Sequence, residues 1–254
     1  MRIFMKSVDV INVAGLLMDG KNDGLESELR RLGVRSVRTF APTPRESARE
    51  HPRYAIERLM GMIQLAVQEI QKEFGEPNIL LCGRSYGGFM ALQAALGMDF
   101  DSIFRVVPIE APLHPDVPVP IPSVMKFFAD CSVHYDERSR LAQRAVDHLG
   151  AAGTSRLVLV QGGAEDAMVP NAAHVLPGDF ETIEFSSDAF DFGSAERGSG
   201  LVVKLPDHLG RRMDWKSRFL PPGLDRYANH LFWSDDKMDA VMKIIQSAAT
   251  SPTS

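Results

Sequence analysis

The stretch Asn78-Ile79-Leu80-Leu81-Cys82-Gly83-Arg84-Ser85-Tyr86-Gly87-Gly88 decides how this chain is read. An apolar run, Asn78 to Cys82, enters a Gly-x-Ser-x-Gly turn, and a helix-like run, Phe89 to Leu96, leaves it. A buried strand, a sharp turn and a helix in that order place a serine at the apex of a nucleophile elbow. The glycines two positions to either side have a steric reason. A strained backbone at the serine brings the strand and the helix too close together for side chains there. The helix then aims its N-terminal N–H groups and the positive end of its dipole at the point where an oxyanion would form.

Outward from the elbow, strand and helix signals alternate. Val8 to Ala14 is an apolar run that stops at Gly15, and Val34 to Phe40 reads as a second strand. Between them Leu25 to Leu32 reads as a helix stopped by Gly33. Pro52 opens a long helix in which Ile56, Leu59, Met60, Ile63, Val67 and Ile70 recur at helical spacing, with Gly75 as its stop. After the elbow, Ile103 to Ile109, Leu157 to Val160, Thr182 to Phe185 and Leu201 to Leu205 read as further strands. Alternation of this kind predicts parallel βαβ units with helices on both faces and an active site beyond the carboxyl ends of the strands.

Two segments break the alternation. Residues 112–153 open with Pro112, Pro115, Pro118, Pro120 and Pro122 and read as a helical cap insertion over the site. Its apolar residues, among them Val119, Ile121, Val124, Met125, Phe127 and Phe128, could cover an acyl chain or simply pack the cap on the body. Residues 187–229 read as a long excursion before a last helix. Ser234 is placed to cap that helix, Asp235 and Asp236 suit its first turn, and Met238, Val241, Met242 and Ile245 form its inner face. The whole is expected to be a single domain.

Composition narrows the function classes. The chain has 254 residues, 44% apolar and 24% charged, which suits one globular α/β domain. A formal net charge of −5 gives no basic footprint for nucleic acid. No apolar stretch reaches the length of a membrane span, and Met1 to Gly15 reads as a strand rather than a secretory signal. The two cysteines, Cys82 and Cys131, read as reduced thiols in a cytoplasmic protein. No His/Cys cluster suggests a metal, and no cofactor is expected.

A serine hydroxyl needs a base to take its proton and an acid to orient that base. For the acid, Gly162-Gly163-Ala164-Glu165-Asp166-Ala167-Met168-Val169-Pro170 follows a strand and puts Asp166 in a loop at the carboxyl edge of the sheet; Glu110, at the end of another strand, is held in reserve. For the base, His230 stands just ahead of the last helix, which would anchor it, and His208 follows the Leu201–Leu205 strand as the reserve base. Arg84, inside the elbow, could contact an anionic substrate group or pair with a local carboxylate.

The elbow, the Gly-Gly-x-x-Asp-x-x-Val-Pro segment around Asp166 and the Asn-His-Leu around His230 together resemble the α/β-hydrolase superfamily, in particular its bacterial lipases and carboxylesterases. Gly-x-Ser-Tyr-Gly-Gly also resembles the prolyl-oligopeptidase-like branch. The order Ser85, Asp166, His230 is that family's nucleophile–acid–base order. The resemblance implies a sheet of about six mostly parallel strands, without the two leading strands of larger members. It implies an oxyanion hole made by the backbone N–H groups of Tyr86 and of Leu16, although many relatives carry His-Gly where this chain has Ala14-Gly15. It implies a small-molecule acyl ester or thioester as substrate. Two other readings stay open: a serine peptidase or amidase on the same fold, and a catalytically inactive hydrolase fold used as a binding module. Oligomeric state is left open.

Overall fold

The computed structural model describes residues 5–15, 24–41, 52–75, 78–97, 103–119, 138–145, 147, 156–163, 168–186, 200–210, 230 and 233–250. Seven strands are present: β1 Asp9–Val13, β2 Ser36–Phe40, β3 Ile79–Arg84, β4 Ile103–Ile109, β5 Val158–Gln161, β6 Glu181–Glu184 and β7 Leu201–Lys204. The helices are α1 Leu25–Arg31, α2 Pro52–Phe74, α3 Tyr86–Leu96, α4 Arg138–Ala145 and α5 Asp235–Thr250. The strands form one sheet in the order β2-β1-β3-β4-β5-β7-β6, with every pair parallel.

Side-chain alternation along the strands sorts the core into two layers. Ile11 and Val13, Ile79 and Leu81, and Leu157 and Leu159 face one layer with Leu59, Ile63 and Ile70 of α2, the buried face of α3, and Ala145 of α4. Val10, Leu80 and Cys82, Val158 and Val160 face the other with Leu25 and Leu29 of α1 and Val241, Ile244 and Ile245 of α5. Because both faces are covered, the central strands read as continuous apolar runs rather than alternating ones. Helix α3 is buried almost all round, which its sequence, YGGFMALQAAL, permits.

The strand expected at Leu201–Leu205, inside the 187–229 excursion, is present as β7. It inserts between β5 and β6, and the described sheet has seven strands where the resemblance implied about six. β6 is therefore one of the two edge strands, and an exposed glutamate at each end, Glu181 and Glu184, suits an edge that should not recruit another strand. Of the predicted cap, residues 120–137, 146 and 148–155 lie outside the described residues, as do 187–199 and 211–229 of the excursion. The described helix of the cap segment, α4, packs on the body: Arg144 Nη2 donates to Leu96 O at 2.5 Å, at the end of α3 far from Ser85.

Parallel pairing brings the carboxyl ends of the strands to one edge, and backbone hydrogen bonds extend the ladders past them. Ser85 N donates to Ile109 O at 2.8 Å and Glu110 N to Val160 O at 2.8 Å. Helix α3 then crosses the end of β1 at backbone contact. A Cβ on Gly87 would lie 2.1 Å from Val13 O and 2.4 Å from Ala14 O, and one on Gly83 would lie 2.5 Å from Gly87 O. These are main-chain atoms of β1, its end and α3, not the movable ends of flexible side chains. Gly61, in the middle of α2, has nothing within 4 Å of such a Cβ.

The contrast gives a stability test. Gly87→Ala forces overpacking against main chain, which costs about 1–3 kcal/mol and should lower the melting temperature by roughly 5–10 °C in a chain of this size. Gly61→Ala removes backbone entropy from the unfolded state and should raise stability by about 0.5–1 kcal/mol. Thermal unfolding of the two variants beside the parent checks both signs.

Candidate active site

Ser85 sits between the end of β3 and the start of α3 with φ 54° and ψ −129°, a conformation that a residue with a side chain rarely adopts. The packing of α3 on β1 and β3 holds it there. His230 reaches it from ahead of α5: His230 Nε2 lies 2.6 Å from Ser85 Oγ. The imidazole is nearly inaccessible to solvent. Tyr86 is the first residue of α3, and first-turn N–H groups have no carbonyl partner within their own helix. Its backbone N–H therefore lies at the positive end of the helix dipole, one residue after Ser85.

A second layer of buried polar groups lies behind the histidine. Glu110, immediately after β4, is the other non-glycine residue with positive φ among the described residues, at 48°. Its Oε1 pairs with Lys237 Nζ at 2.5 Å, and its Oε2 accepts from Trp233 Nε1 at 3.1 Å. Burial alone would raise the Glu110 carboxyl; the Lys237 ammonium, with the fields of His174 and His230, more than offsets this and holds it below the usual carboxylate range. His174 is also buried, and its Nδ1 accepts from Gly162 N at 3.1 Å, which places its ring proton on Nε2 when the ring is neutral.

Arg84 is likewise buried. Its Nη2 donates to the main-chain oxygen of His230, and its guanidinium carbon lies 4.2 Å from the centroid of the Trp233 ring. A guanidinium combines a flat face with fixed donors, so one side chain can stack and donate at once.

The structure thus brings Ser85, Tyr86 and His230 together. Asp166 and Leu16 lie outside the described residues. The described chain after β5 runs to Gly163, where a Cβ would meet Pro206 O at 2.1 Å, and resumes at Met168. His208 stands elsewhere, in the short 3-10 helix Asp207–Gly210. It lines a cavity of about 450 Å³ with Phe185, Pro206, Asp239 and Lys243. Neither Ser85 nor His230 is among the residues lining that cavity. Glu110, the reserve acid, has both carboxylate oxygens engaged by Lys237 and Trp233.

Sequence reasoning missed the Glu110–Lys237–Trp233 cluster. One signal was available. Lys237 falls on the same helical face as Val241, Ile244 and Ala248, and a lysine on an apolar face needs a buried carboxylate. Ser234 does cap α5, with Lys237 N donating to its Oγ at 3.2 Å. Among the described residues no group of three or more His, Cys, Asp or Glu could hold a metal ion, and no helix is long and apolar enough to cross a membrane.

No family model matches the chain, and no curated protein matches it in sequence. Solved structures do. The metagenomic carboxyl esterase MGS0156 aligns with a TM-score of 0.51 at 13% identity, over 96% of this chain and 76% of that one. Carboxyl esterase 2 from the mycorrhizal fungus Tuber melanosporum aligns with a TM-score of 0.50 at 12% identity, over 97% and 79%. The chain has the α/β-hydrolase fold. The RedJ thioesterase of the prodiginine biosynthetic pathway in Streptomyces coelicolor is a more distant match, with a TM-score of 0.49 at 14% identity over 95% and 86%.

The Glu110–Lys237 pair makes stability depend on pH in a definite direction. A carboxylate whose folded value lies below its unfolded value contributes stability that is complete above the unfolded value. That contribution is lost as pH falls through the folded one. Urea unfolding from pH 7 to pH 3 should therefore show a falling acid limb. The double variant Glu110→Gln/Lys237→Met should flatten it, whereas Glu110→Gln alone, which strands a buried ammonium, should cost about 3–5 kcal/mol near neutrality.

Proposed function

We propose that this chain is a serine hydrolase that cleaves a carboxylic ester or thioester through an acyl-enzyme, with Ser85 as nucleophile, His230 as base and Asp166 as the acid that orients it. The observation that carries the proposal is the 2.6 Å approach of His230 Nε2 to Ser85 Oγ, made at a serine held with positive φ at the N-terminus of a buried helix. Serines in ordinary turns have neither the strained backbone nor a buried imidazole within hydrogen-bond reach.

In the first half-reaction His230 Nε2 takes the Ser85 proton as Oγ bonds to the acyl carbon. The carbonyl π-electrons move onto oxygen, where the N–H groups of Tyr86 and, in this proposal, Leu16 receive them. The tetrahedral intermediate collapses, the bond to the alcohol or thiol breaks, and His230 returns the proton to the leaving group. In the second half-reaction water takes the place of the serine hydroxyl. His230 removes its proton, the oxygen attacks the acyl carbon, and Ser85 leaves with the proton restored. Asp166, in the loop after β5, would hold Nδ1–H of His230 and stabilise the imidazolium. No cofactor enters the scheme. The segment 112–153, which leaves β4 directly after Glu110, is proposed as the cap that selects the acyl group.

A panel of p-nitrophenyl esters, acyl thioesters and peptide anilides tests this reading. Hydrolysis of the esters or thioesters, with little of the anilides, is expected. Ser85→Ala and His230→Ala should each lose on the order of 10⁴-fold or more in kcat, as groups that act as a unit do. His208→Ala should keep most of the activity. Preference for the anilides would turn the assignment to an amidase, and activity surviving in Ser85→Ala would overturn it.

A further inference from the structure

The residue beside the nucleophile is bonded to the main chain of the base. Arg84 is the last residue of β3 and is 2% exposed; its Nη2 donates to the carbonyl oxygen of His230. The guanidinium rests on the Trp233 ring, three residues beyond the histidine. Trp233 is in turn fixed at its edge by Glu110 Oε2, and the Lys237 ammonium lies 5.4 Å from the same ring. Lys237 belongs to α5 and Glu110 to the end of β4, so His230, Trp233 and Lys237 are contacted from the ends of two strands, β3 and β4.

This arrangement does something that packing alone does not require. Nucleophile and base are joined through their side chains by the 2.6 Å Oγ–Nε2 contact and also through the chain next to each of them. Any shift of the elbow carries the histidine backbone with it, so the reactive distance is preserved. Productive geometry tolerates errors of only about 0.5 Å, and a misplacement near 1 Å costs roughly 10²-fold in rate. Burying an arginine is expensive, and a carbonyl plus an aromatic face compensates it only where both are presented together.

We propose that Arg84, with Trp233 as its platform and the Glu110–Lys237 pair as that platform's anchor, is a positioning residue that sets His230 against Ser85. The proposal rests on the serine hydrolase reading and adds to it the device that holds its base. Arg84 acts through His230 and touches no substrate atom. Lysine in its place would keep the charge but lose the flat face and the fixed fork of donors.

The test compares Arg84→Lys, Arg84→Met and Trp233→Phe with the parent on the best ester of the panel, with rates normalised to folded protein by circular dichroism. Arg84→Met should lower kcat by roughly 10- to 100-fold while KM changes little, because ground-state binding of the substrate does not involve the histidine backbone. Arg84→Lys should fall between it and the parent, and Trp233→Phe, which keeps the ring but loses its N–H, should lower kcat less than Arg84→Met. A raised KM at unchanged kcat would instead make Arg84 a substrate contact. An unchanged kcat per folded molecule in Arg84→Met would leave it a purely structural residue; either result overturns the proposal while leaving the hydrolase reading intact. A second readout does not need turnover. In ¹⁵N-histidine NMR the ring signals of His230, assigned by their loss in His230→Gln, should move in Arg84→Met in the same direction as in Ser85→Ala. His230 signals that stay in place in Arg84→Met would overturn the proposal even if the parent proved inactive on every substrate, a result that would by itself sink the hydrolase reading.

Discussion

Everything at the site depends on the contact between the backbone of α3 and the carboxyl end of β1. With Gly87 against Val13 O, the helix cannot be reached from β3 by a relaxed turn, and Ser85 takes the strain at φ 54°. The same contact points the helix N-terminus at the space above the serine. Strain of this kind is stable only because the surroundings over-determine it: β3 is hydrogen-bonded on both sides, to β1 and β4, and α3 is buried nearly all round. The consequence is a hydroxyl held above the sheet rather than folded into it, where a histidine from another part of the chain can meet it.

The second positive-φ residue, Glu110, lies at the end of the strand next to that of Ser85, so the two strained positions are neighbours. One presents a hydroxyl within reach of His230, and the other presents a carboxylate paired with Lys237 of α5. Through Lys237 and Trp233 that carboxylate fixes the entrance to the last helix, and His230 stands directly before that entrance. Arg84 closes the circuit from the elbow side. His230 is therefore contacted from the end of β3, although it lies more than a hundred residues from Ser85 in sequence.

Much of this was legible in the chain, and for identifiable reasons. Gly83, Ser85, Gly87 and their flanks specify a strand, a strained turn and a helix through local sterics alone. The α2 heptad-like spacing and Gly75 at φ 79° gave its face and its end. Ser234 announced the start of α5 through capping chemistry. What was not legible involved partners distant in sequence. Nothing near Arg84 marks the carbonyl of residue 230 as its acceptor, and although Leu201–Leu205 reads as a strand, its place between β5 and β6 depends on partners that spacing does not name. The order β5-β7-β6 also cannot be read from spacing, because β6 and β7 are short and each could have paired with β5.

The central claim is that His230 activates Ser85, and covalent labelling tests it most directly. The purified chain would be treated with a fluorophosphonate beside Ser85→Ala and His230→Ala, and the modified peptide mapped by mass spectrometry. The account predicts rapid labelling confined to Ser85 in the parent, none at that site in Ser85→Ala and a severe loss of rate in folded His230→Ala. Labelling of Ser85 at the parent's rate in His230→Ala, or a folded parent that does not react at all, would contradict it.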